Sequence, residues 1–128
     1  NPDIIVGLGR GFAKGTLFSL TNPEAAVKIH WKLYPQSKPP GDNDAIRIKK
    51  AIHELVSATE FMRIDNTSIK KWGATSKKEV ETYASFLVRT GIMKTKPDAP
   101  SVYYTDEFID RINQFDEKKI VDQAKRYK

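Results

Sequence analysis

The stretch "GLGRGFAKGT", residues 7–16, sets Gly7, Gly9, Gly11 and Gly15 around Arg10 and Lys14. Glycines let backbone N–H groups crowd an anion while cations neutralise it, so such a stretch could cradle a phosphate. The spacing argues otherwise. A dinucleotide fingerprint needs G-x-G-x-x-G between a strand and a helix, and here Phe12 stands at the third glycine position. A P-loop needs its lysine directly after the last glycine, whereas Lys14 precedes Gly15. Asn1-Pro2 just ahead is a helix start and leaves no room for a strand. Within a helix, Gly7, Gly11 and Gly15 recur every four residues beside Ile4, Leu8 and Phe18. That predicts a smooth stripe against which another element packs closely.

The other chemistry-bearing side chains are sparse. His30 and His53 fall on different predicted helices, in no H-x-x-x-H or H-E-x-x-H pair, so they predict no metal site. His30 reads as a boundary residue and His53 as a solvated one. No serine lies in a nucleophile-elbow context and no carboxylate pair stands out from ordinary helix caps, so the chain reads as a non-enzyme without a cofactor. The absence of cysteine removes disulfide and thiolate chemistry. Trp31 and Trp72 remain as candidate ligand-binding residues, through their flat stacking surfaces, with packing against a neighbouring helix as the plainer use. The net charge of +6 permits an anionic partner. The lysine pairs at 49–50, 70–71, 77–78 and 118–119 are scattered, however, and read as solvated surface.

The elements that carry these residues are helical nearly throughout. Asn1-Pro2 opens a first helix to about Leu20, and Asn22-Pro23-Glu24 opens a second with Ala26, Ile29, His30 and Leu33 on its apolar face. Pro35 ends it, and "QSKPPGDN" is a linker. Asp42 or Asn43 caps a third helix with Ile48, Ile52, Leu55, Val56 and Met62 as its buried stripe. Ser76-Lys77-Lys78-Glu79 has capping-box spacing. Val80, Tyr83, Ala84 and Leu87 follow it, and Gly91 terminates the fourth helix. Thr105 starts a short fifth helix to about Asn113, and Asp116 a sixth with Ile120, Val121, Ala124 and Tyr127 inward. "SVYY" and "GIMK" are the only segments that could be extended. The fold class is all-α, a six-helix array in one segment, residues 1–128. No apolar run approaches the ~18 residues of a membrane helix. A chain opening on Asn1 with no leader fits a processed or truncated product.

An alternative rests on residues 67–104. A short helix ending near Gly73, a Ser-Lys-Lys start and a helix ending at Gly91 have the rhythm of a winged helix-turn-helix. Ser76, Lys77, Lys78 and Thr82 would then face the major groove and "KTKPDAPSVYY" would form the wing. Glu79 and Glu81 oppose this, because they place negative charge beside DNA phosphates.

Taken together the segments resemble a known family. "NPDIIVGLGRGFAKGTLFSLTNPEAAVKIHWKLYP" is similar to the region after the interlobe crossover in nitrate/sulfonate/taurine-type solute-binding proteins of ABC importers. That family includes relatives that bind thiamine precursors. "WGATSKKEVETYASFLVRTGIMK", then "YYTDEFIDRINQFD" and a terminal amphipathic helix, resembles the family's C-terminal end. The resemblance implies that residues 1–128 are a C-terminal portion of a two-lobe α/β periplasmic-binding-protein-like fold. It implies capture of a sulfonate, nitrate or thiamine-precursor solute, lobe closure, and delivery to an ABC permease from a periplasmic or extracytoplasmic location. The implied partners are the remaining lobes, the permease and the solute, with no nucleic acid and no direct membrane insertion. No motif matches the family's ligand contacts, so Trp31 and Trp72 stay the candidates, and the segment alone is expected to bind solute poorly. The chain departs from the family in length and in its glycines at 7, 11 and 15, where alanine or larger residues are the pattern. A free-standing helical interaction domain is the third reading.

Overall fold

The computed structural model describes residues 1–41, 43–96 and 104–127. Helix α1 spans Pro2–Thr21, with the Asn1 side chain accepting the Asp3 N–H at 3.0 Å. Pro2 fills a first-turn position where no donor is needed. Helix α2 spans Pro23–Leu33, and a single residue makes the corner between the two. The Asn22 N–H closes α1 on the Phe18 carbonyl, while its side-chain oxygen accepts the Ala25 N–H at 3.0 Å to open α2. A 3-10 turn at Pro35–Ser37 follows. Helix α3, Asp44–Thr59, is capped by Asn43, whose oxygen accepts the Ile46 N–H at 3.1 Å.

Helix α3 stops earlier than its apolar period suggests. The Thr59 hydroxyl donates to the Leu55 carbonyl at 2.7 Å, and the chain tightens into a 3-10 turn at Glu60–Met62. Met62, expected on the buried stripe, is carried off the helix by that turn and is exposed; Val56, expected there too, is exposed within α3 itself. After a second 3-10 turn at Ile64–Asn66, helix α4 spans Lys77–Arg89 behind the expected Ser76/Glu79 capping box. The predicted fifth helix shrinks to one turn, α5, Ile109–Ile112. Thr105 spends its hydroxyl on the Glu107 N–H at 3.3 Å, a local turn that caps no helix, and Asn113 ends the turn by donating to the Ile109 carbonyl at 2.8 Å. Helix α6, Glu117–Arg126, starts on Asp116, which accepts the Lys119 N–H at 3.0 Å. The described residues thus form an all-α array of five helices of ten residues or more, plus the single turn α5. "GIMK" is turn and bend, and Ser101, Val102 and Tyr103 of "SVYY" lie outside the described residues.

Helix α1 is the spine. It packs on α6, α5, α2 and α3, and α2 in turn lies along α3. The buried apolar residues are small: Val6 and Ala13 on α1, Ala25 and Val27 on α2, Ala84 on α4, Ala124 on α6, with Trp72 the single large one. Small residues let helix axes approach closely but remove little apolar area from water. The chain exposes 9548 Å², whereas a compact monomer of 14.5 kDa exposes about 6,900 Å². Large apolar side chains account for part of the surplus, among them Ile4 at 67 %, Leu8 at 62 %, Phe12 at 69 % and Phe61 at 94 % exposed.

Candidate functional site

An apolar recess lies between α2 and α3, closed at one end by the last turns of α1. It is a groove of about 680 Å³, within the range of small-molecule sites. From α3, Ala51, Glu54, Leu55 and Ala58 line it at i, i+3, i+4 and i+7, one helical face. The two alanines give the groove its depth. Phe18 from α1, and Trp31 and Tyr34 at the end of α2, supply aromatic walls. His30 also borders it, its ring 5.2 Å from that of Tyr34. The Lys38 ammonium lies 5.6 Å from the Trp31 ring centroid while pairing with Asp44 at 3.1 Å. The groove offers burial, stacking and one carboxylate.

Of the two tryptophans singled out by sequence, only Trp31 lines this groove. Trp72 is 6 % exposed and is clasped from three directions. Its indole N–H donates to Glu117 at 2.7 Å, its backbone N–H to the Asn113 side chain at 2.8 Å, and its carbonyl accepts from Asn113 at 3.0 Å. This clasp fixes the loop before α4 to α5 and the start of α6. The two indoles therefore serve separate regions. Glu54 and Tyr34 are both exposed, and neither stands out in sequence as a groove residue. The signal that finds Glu54 is its place in an otherwise apolar Ala51-Leu55-Ala58 stripe.

The glycine stretch is mid-helix, and its cations are engaged elsewhere. Arg10 donates to the Arg111 carbonyl and Lys14 lies 5.7 Å from the Phe115 ring centroid. The expectation of close packing along Gly7, Gly11 and Gly15 is corrected: a Cβ added at any of them meets nothing within 4 Å. The tight position is Gly9, off that four-residue beat, where a Cβ would lie 2.7 Å from Ile112 Cδ1. The open stripe adjoins Leu8, Phe12 and Thr59 in a shallow apolar hollow, and Phe12 shares a second hollow with Phe61 and Met62.

His53 and His30 are both exposed. Among the described residues no group of three His, Asp or Glu side chains could hold a metal ion, and no helix is long and apolar enough to cross a membrane. The first helix of the helix-turn-helix alternative is missing, since residues 67–76 form bends and a turn. Ser76 is consumed by the capping box and the Thr82 hydroxyl donates to the Lys78 carbonyl at 2.7 Å. Lys77 and Lys78 are exposed, and the expected wing lies largely outside the described residues. Hydrogen bonding from the Arg63 guanidinium holds the Asp65 carboxyl below the usual carboxylate range, but this surface pair lies away from the groove. Comparison with family models, curated proteins and solved structures gives no match to the chain.

Proposed function

We propose that the chain is a C-terminal portion of the substrate-binding component of an ABC importer for a small organic or anionic solute of the sulfonate, nitrate or thiamine-precursor type. In this reading it acts outside the cytoplasm, binds and does not catalyse, and hands solute to a permease. The observation that carries it is the uncharged face of α1. Ile4, Leu8 and Phe12 beside Gly7, Gly11 and Gly15 form a surface about three turns long with no charge, in a chain whose residues are 30 % charged. A portion that packs against a further lobe leaves such a face when viewed alone, and the surplus exposed area supports the same view. The sequence resemblance supplies the identity of that lobe.

The test is uptake. Cells lacking the gene for this chain should lose high-affinity import of labelled taurine, nitrate or a thiamine precursor, and unchanged import of all three would overturn the proposal. The chain alone should give no saturable heat with taurine, because a closing cleft needs both lobes. The α1 face also favours a second reading, a helical interaction domain. The intact mass of the gene product separates the two: a product of these residues alone supports the interaction domain.

A further inference from the structure

The α2–α3 groove has a chemistry opposite to that of the chain around it. The protein carries a net charge of +6, yet among the described residues no lysine or arginine lines the groove. Its one carboxylate, Glu54, is set in the apolar Ala51-Leu55-Ala58 face and forms no ion pair with a described residue. Phe18, Trp31 and Tyr34 line the same groove. The Trp31 face already receives a cation, the Lys38 ammonium at 5.6 Å from its centroid, which is the attraction that aromatic faces exert on organic cations. Lys38 itself stays tied to Asp44 at the rim, so its charge is offset there.

From this complementarity we infer that the groove binds a small aromatic amine in its protonated form. The ring is buried among Trp31, Tyr34 and Phe18, and the ammonium lies toward Glu54. An aromatic anion of the same size meets a carboxylate, and the nearby ammonium, Lys38, is already paired with Asp44 at the rim. The site is built from α1, α2, α3 and the turn that joins α2 to α3, and needs no second lobe. It therefore goes beyond the importer reading and stands or falls separately from it.

Three probes with one ring and different charge test the inference on the 128-residue chain: 2-phenylethylamine, benzyl alcohol and 3-phenylpropionate. The two indole N–H resonances act as site and control, Trp31 in the groove and Trp72 clasped to Glu117. The expected result is a saturable shift of the Trp31 resonance with the amine, Trp72 unmoved, and affinity about fivefold or more above that for the carboxylate. Glu54→Gln, an exposed change on α3, should lower amine affinity by about fivefold and leave benzyl alcohol unaffected. Ala58→Leu should fill the groove and weaken all three probes. The inference is overturned by the absence of a saturable Trp31 shift, by equal response to the three charges, or by indifference of the amine to Glu54→Gln.

Discussion

Gly9 and Gly11 are two residues apart on α1 and meet opposite surroundings. Around Gly11 there is nothing within 4 Å of an added Cβ, so Gly11→Ala gains helix propensity without a clash and should stabilise the chain by about 0.5–1 kcal/mol. At Gly9 the same methyl presses on the tip of the half-buried Ile112 side chain, which must turn aside, so Gly9→Ala should be about 0.5–1 kcal/mol less stable than Gly11→Ala. Urea denaturation of the two variants measures the difference, and equal stabilities would remove the close contact. Asn113 is the other residue whose role emerges only in three dimensions. Asn113→Ala deletes the backbone clasp on Trp72 and should cost about 2 kcal/mol in the same assay. Sequence placed Gly9 in a glycine-rich helix, but nothing in a one-dimensional pattern reports that α5 crosses at that point. The four-residue beat of the other glycines drew attention to the exposed side.

The helix starts are the most legible part of the fold, because each is a local hydrogen bond between near neighbours. Asn1, Asn22, Asn43, Ser76 and Asp116 all cap as their sequence contexts indicate. Helix ends were harder to place, since Thr59 and Asn113 terminate α3 and α5 through their own side chains. The groove was half legible: Trp31 stands out by type, whereas Glu54 acquires meaning only when α2 lies along α3. At α4 the cap makes a pH-dependent prediction. The Ser76 N–H, then the Ser76 and Thr75 hydroxyls, hold the Glu79 carboxyl below its usual range. A carboxyl lowered by folding adds stability above its unfolded value near ~4.3. That contribution is lost as pH falls through the lower folded value. The protection factors of the first-turn amides of α4, exchange rates divided into the unfolded-chain rates at the same pH, should therefore fall on acidification below about pH 4, and Glu79→Gln should flatten that dependence. First-turn protection factors that stay constant through this range in the native chain would refute the role given to the cap.

For the molecule as a whole, the governing fact is that a core of alanine and valine leaves large apolar side chains outside. Leu8→Gln with Phe12→Gln should change the stability of the 128-residue chain by no more than about 0.5 kcal/mol per site, because both side chains already face water. If a further lobe covers α1, the same pair in the complete protein should cost about 1.5–3 kcal/mol per side chain. Paired denaturation curves decide this, and a large loss in the 128-residue chain would contradict the exposed placement. The packing of α1 on α6 has a consequence in time. The Asn22 side chain donates to the Ala124 carbonyl at 2.9 Å, across almost the whole chain, and α6 is the main neighbour of the spine. During synthesis at about 5–20 residues per second, α1 emerges roughly 5–25 seconds before the helix that covers it. Throughout that interval the Phe18 ring lacks Tyr127, the edge-on partner it has in the folded chain, and the Asn22 side chain lacks the Ala124 carbonyl.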